Sequence, residues 1–125
     1  MQIASKVLVL FAAAVNLAPV AGAVSPARLQ MLYAVELSDP NLLILLHHRA
    51  ILFALIGGML FVSAFVTRLR AVAVFAGLVS MLSFVAVALA VGDYNASLRR
   101  VLLVDVAASA ALVAAVLLDR RRRAA

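Results

Sequence analysis

Four long apolar stretches, residues 3–21, 50–66, 71–91 and 101–118, fill most of this 125-residue chain and carry almost none of its charge. The hydrocarbon core of a bilayer is about 30 Å thick, so a helix needs roughly 17 to 25 predominantly apolar residues to cross it. Each stretch meets that length, and in lipid only helices and closed barrels satisfy their own backbone groups. An all-α, polytopic membrane protein follows: a single domain over residues 1–125, built as a four-transmembrane-helix bundle. Composition agrees, with 68% hydrophobic and 13% charged residues against roughly 45 to 50% apolar usage in a soluble domain.

The segments between the crossings are short. Ser25 and Pro26 form a helix-start signal, a capping hydroxyl followed by a proline at the first helical position. A short helix over about 25–37 is expected from there. Apolar Leu29, Met31, Leu32, Tyr33 and Val35 alternate in it with Arg28, Gln30 and Glu36, which suits the membrane surface better than a crossing. Ser38, Asp39 and Pro40 repeat the start signal, and the helix they open runs through Thr67, longer than a crossing requires. Counting back about 20 residues from Thr67 places the boundary of the hydrocarbon near His47. Only residues 67–70 separate the second and third crossings, which forces an antiparallel hairpin. Gly92 is a helix stop before the turn that leads to Arg100.

Residues 3–23 admit two readings, a retained first crossing or a signal peptide cleaved after the A-x-A-like Ala21-Gly22-Ala23. Retention is the expectation, since the apolar run is long for a signal peptide. The net charge of +6 does not point to nucleic acid, because the basic residues sit at helix ends and in the tail at 119–125, where they meet headgroups. Lys6, Arg68, Arg70 and Arg120 to Arg123, seven charges, share one side. Arg28, Arg49, Arg99 and Arg100, four charges, share the other. The positive-inside rule then places both termini in the cytoplasm. Ten Arg against one Lys and abundant Ala read as a GC-rich bacterial genome, hence a bacterial inner membrane.

Small residues recur four apart at Ala50, Ala54 and Gly58, at Ala73 and Gly77, and at Ala107, Ala111 and Ala115. Such stripes let helices approach closely where lipid provides no hydrophobic drive. Ionisable groups inside a crossing cost roughly 2.5 to 3.5 kcal/mol on insertion scales. Asp105 is the clearest case, five residues past Arg100 and so about 7 to 8 Å below the boundary. Arg49 lies just inside the same boundary beside His47 and His48, within reach of Asp105. Asn16 on the first helix comes to a similar depth, and Ser83 on the third lies somewhat deeper. These six residues are the candidate ligand or proton site, suited to a lipid or quinone headgroup. The competing reading is a buried Arg49–Asp105 pair that fixes helix register. No metal site is expected, because adjacent His side chains point about 100° apart and the chain has no Cys. Tyr33 and Tyr94 read as interface anchors.

The order of a first helix ending near a Pro, then SPARLQMLYAVELSDP, then HHRAILFALIGG, then two helices around GDYNASLRR, resembles small bacterial membrane proteins of the DoxX-like kind. That resemblance implies a four-helix fold, and it implies association with membrane complexes that pass electrons to quinone. It supplies no catalytic residue. No segment outside the membrane is long enough for a catalytic domain, and no nucleotide, phosphate or nucleophile motif is present. The reading is therefore an accessory or lipid- or quinone-binding membrane subunit, not an enzyme, with no evident cofactor beyond quinone. Its partners are the lipid bilayer and either another membrane protein or further copies of itself. The alternatives are a quinone-linked redox complex subunit and a small multidrug-type transporter, whose membrane-embedded Glu in the first helix has only Asn16 as a counterpart here.

Overall fold

The computed structural model describes residues 3–22, 26–34 and 38–125. They form α1 (Ile3–Gly22), α2 (Pro26–Tyr33), α3 (Pro40–Ser63), a 3-10 turn (Thr67–Leu69), α4 (Arg70–Val91) and α5 (Ala96–Ala124). Four of these helices are long and apolar enough to cross a membrane. The all-α four-helix bundle read from the sequence is the architecture found.

Local signals set most helix ends. Asp39 caps α3 by accepting from the Asn41 backbone N–H at 2.9 Å, with Pro40 at the first helical position. Asn95 caps α5 in the same way, its Oδ1 accepting from the Leu98 N–H at 2.8 Å. Gly92 ends α4 at φ +70°, a left-handed geometry that favours glycine. Other ends differ from the sequence expectation. The helix of the second crossing begins at Pro40 and ends at Ser63, and the chain then tightens into the 3-10 turn before α4, while Ser63 Oγ donates to the Leu60 carbonyl at 2.8 Å. The last helix continues through the basic tail to Ala124, about 43 Å in all, so the arginines there project from a rigid rod. The surface helix, expected to about 37, ends at Tyr33, with Ala34 in the left-handed region at φ +51°, and the expected Ser25 cap lies outside the described residues.

Around the bundle the order is α1, α3, α4, α5, each packing on the next and α5 returning to α1. Both chain ends therefore share one end of the bundle, called here the terminal end. The opposite, loop end is covered by α2, which packs on α1 and α5. The centre is filled by small and medium residues: Val9, Ala12 and Ala13 of α1, Leu60 of α3, Ala73 and Met81 of α4, Ala108, Leu112 and Ala115 of α5. Larger apolar side chains face outward, Phe75 at 70% and Leu89 at 63% exposure, as lipid-facing surfaces require.

Ala50 on α3 and Ala111 and Ala115 on α5 are buried as their spacing implied, and each of those two stripes departs at one position. On α3 the contact residue is Gly57, where a Cβ would meet Leu17 Cγ of α1 at 2.6 Å, whereas nothing lies within 4 Å of one at Gly58. On α5 Ala108 is fully buried and Ala107 is exposed. Ala73 and Gly77 are buried as expected, and a Cβ at Gly77 would meet Leu60 at 3.1 Å and Leu112 at 3.2 Å.

Candidate functional site

Arg49 sits ten residues into α3 with its guanidinium enclosed by rings from three helices. Its central carbon lies 4.5 Å from the Phe84 ring centroid, 4.8 Å from Phe53 and 5.7 Å from Tyr33. Ring faces attract the cation electrostatically but accept no in-plane hydrogen bonds. Among the described residues Nε and Nη2 are accordingly buried without a hydrogen-bond partner. Such orphaned donors are expensive, and in native proteins they are an invitation to a ligand, water or ion. Tyr33 is fixed in turn by Asn95, whose Nδ2 donates to the Tyr33 carbonyl at 2.9 Å. Burial pushes the Tyr33 phenol above its usual pKa, and the neighbouring Arg49 charge works against that rise. Tyr33 is thus a wall of the arginine's enclosure, 4% exposed, where an interface anchor was expected.

Beside Arg49 a groove of about 580 Å³ runs between α3 and α4. Phe53, Ile56, Val79, Ser83, Phe84 and Val87 are among its walls. Along α4 it extends from Phe75 to Val87, about 18 Å at 1.5 Å per residue, close to the depth of one leaflet of a 30 Å hydrocarbon core. Ser83 contributes to this wall while donating to the Ser80 carbonyl at 3.0 Å.

The expected Arg49–Asp105 pair does not form. No ion pair joins the two, and the ion pair found among the described residues is elsewhere, between Arg70 and Asp119. Asp105, 7% exposed, faces a separate cavity of about 200 Å³ that it shares with Val15, Asn16, Pro19 and Phe53. The Phe53 ring borders both cavities, so the single four-helix polar cluster read from the sequence is two sites: Arg49 with Ser83, and Asp105 with Asn16. Asn16 donates to the Ala12 carbonyl at 2.9 Å and contacts Met81 Sδ at 3.5 Å, a bond across the bundle diagonal. The His residues join neither site. His47 Nδ1 lies 2.9 Å from the Leu43 carbonyl of its own helix, and His48 is exposed.

Sequence reasoning missed the polar knot at the terminal end. Arg70 Nη1 donates to Asp119 Oδ2 and to Ser5 Oγ, each at 3.0 Å, and Nε donates to the Ser63 carbonyl at 3.2 Å. Ser5 Oγ in turn lies 3.4 Å from the Ala115 carbonyl. One side chain thereby ties α4 to α1, α3 and α5. The signal available was Asp119, an acidic residue directly before four arginines.

Fold and surface together define a multi-pass membrane protein, with large apolar side chains outward, a small-residue interior and an arginine with unmet donors at the head of a lipid-facing groove. No family model, curated protein or solved structure matches the chain.

Proposed function

We propose that the chain is a non-enzymatic accessory protein of the bacterial inner membrane that holds an amphiphile, a lipid or a quinone, in the α3–α4 groove. The observation that carries this is Arg49, whose buried Nε and Nη2 lack partners among the described residues at the head of an apolar groove one leaflet deep. A phosphate oxygen or a quinone carbonyl would accept from those two donors, and a hydrocarbon tail would cover Ile56 and Val79. The DoxX-like resemblance favours quinone, and with it a place beside a redox partner that carries the electrons.

Native mass spectrometry of protein extracted in its own lipids tests the proposal. Wild type should retain one quinone or lipid that Arg49→Gln loses, and an identical adduct in both would overturn it. A second subunit seated in the groove would favour the redox-complex alternative. The transporter alternative has one observation behind it, the buried Asp105 carboxylate facing its own cavity. It requires that Asp105→Asn abolish export of a lipophilic cation.

The orientation proposed has both termini in the cytoplasm, supported by the seven-to-four charge asymmetry and the positive-inside rule. A reporter fused after Arg123 should be active in the cytoplasm and one at Asn95 outside. The reverse result would invert the molecule.

A further inference from the structure

At the terminal end α4 and α5 enclose a second, chemically different cleft. Its upper part, about 320 Å³, is lined by Thr67, Arg70, Asp119, Arg122 and Arg123. Its lower part, about 450 Å³, keeps Thr67, Arg70, Asp119 and Arg123 in common with the upper one and descends along Ala71, Val74, Leu78 and Val116. The shared residues make it one continuous cleft, polar at the mouth and apolar below.

The charges in that cleft are not balanced. Asp119 is engaged by Arg70 at 3.0 Å, and Arg70 also holds Ser5 and the Ser63 carbonyl. The acidic group at the mouth is therefore already answered from inside the bundle, while Arg120, Arg122 and Arg123 remain on the outer surface of a continuous helix. Residues three and four apart share a helix face, which is why Val116, Asp119, Arg120 and Arg123 line one wall. Arg121 lines neither part of the cleft. An occupant must pair anionic oxygens with arginines at the mouth and lay a hydrocarbon chain on the floor below. Basic pockets between transmembrane helices take acidic lipid headgroups for this reason.

We infer that the α4–α5 cleft is a binding site for one acidic phospholipid, its phosphate held by Arg122 and Arg123 and one acyl chain lying along Ala71, Val74 and Leu78. This site is independent of the α3–α4 groove, since it lies at the other end of the bundle and shares only Phe75 as a border. Its lipid makes the membrane itself a structural partner of the four-helix knot, because the headgroup sits directly over the Arg70–Asp119 pair.

The experiment is native mass spectrometry of the full chain in detergent, titrated with phosphatidylglycerol or phosphatidylcholine of identical acyl chains. Wild type should retain one phosphatidylglycerol in clear preference to phosphatidylcholine. A basic residue near the surface contributes about a five-fold gain in acidic-lipid affinity, so Arg122→Gln with Arg123→Gln should weaken retention about thirty-fold. Arg121→Gln, which removes one charge that lines neither part of the cleft, should weaken retention less than Arg123→Gln alone. Ala71→Phe, at an exposed position that fills the floor, should also displace the lipid, and Arg49→Gln should not. The inference is overturned if phosphatidylcholine binds equally, if Arg121→Gln weakens binding as much as Arg123→Gln, or if folded Ala71→Phe keeps its lipid. The arginine variants lie on an exposed tail and report even if Ala71→Phe does not fold.

Discussion

Removing either member of the Arg70–Asp119 pair should destabilise the bundle, and the two losses should not add. The side chains are 10% and 23% exposed and meet at 3.0 Å. Breaking a fully buried pair from one side costs about 3 to 5 kcal/mol, because the remaining charge is left uncompensated. Asp119 retains contact with solvent, which lowers the cost of stranding it to about 2 kcal/mol. Arg70→Gln also loses bonds to Ser5 Oγ and the Ser63 carbonyl, each worth about 1 kcal/mol net, so the total should be about 3 to 4 kcal/mol. Asp119→Asn should cost less, about 1 to 2 kcal/mol, since Arg70 keeps those two partners and the amide oxygen still accepts. The double variant should cost about 1 to 2 kcal/mol less than the sum, a coupling typical of residues in one network. Reversible unfolding in bicelles or SDS-containing mixed micelles measures all four corners of this cycle. Strictly additive losses would refute the reasoning.

The same cycle at Arg49 and Asp105 should look different. Without an ion pair between them their coupling should fall well below that of Arg70 and Asp119, and Asp105→Asn should be neutral or stabilising, because it removes a buried charge that makes no ion pair among the described residues. Gly57→Leu should cost about 1 to 3 kcal/mol by overpacking against Leu17, whereas Gly58→Ala, with open space around its Cβ, should cost nothing in the same unfolding assay. Asn95→Ala should lose about 1 kcal/mol of helix capping and also release α2, seen as faster hydrogen exchange at residues 26–33. Alkaline titration followed by phenolate absorbance should find Tyr33 ionising above the usual tyrosine range. Its raised folded pKa makes a stability contribution that is complete below the unfolded value of about 10 and is lost as pH rises through the folded value. Arg49→Gln should push Tyr33 higher still, and an unchanged or lower midpoint would contradict the contact.

What could be read from the sequence divides by the range of the interaction that decides it. The caps at Asp39 and Asn95 and the stop at Gly92 depend on neighbours within three residues, and the apolar lengths depend only on the bilayer, so the fold was legible. Rotation about a helix axis was legible only in part, since Ala50, Ala73, Ala111 and Ala115 are buried as read but Gly58 is not the contact residue. Gly58 and Gly57 differ by 100°, and Leu17 of another helix chooses between them. Pairing was less legible still. Asp119 stands beside four arginines in sequence, yet its partner is Arg70, forty-nine residues away, because α4 begins where α5 is about to leave the membrane. Of the three rings around Arg49, only Phe53 lies within one helical turn.

The two arginines on helices at opposite ends of the bundle show why pairing, once known, separates structure from candidate function. Arg70 directs its donors, in the plane of its guanidinium, at a carboxylate, a hydroxyl and a carbonyl. Those bonds hold four helices together. Arg49 is held through the faces of Phe53, Phe84 and Tyr33, which stabilise the cation while Nε and Nη2 are left without a hydrogen-bond partner among the described residues. Its Nε and Nη2 therefore stay unpaired among the described residues, where a ligand in the α3–α4 groove that Arg49 lines could meet them. An arginine satisfied by rings keeps its hydrogen-bonding capacity, whereas one satisfied by a carboxylate has already used it, and this difference makes Arg49 rather than Arg70 the residue on which ligand binding should depend.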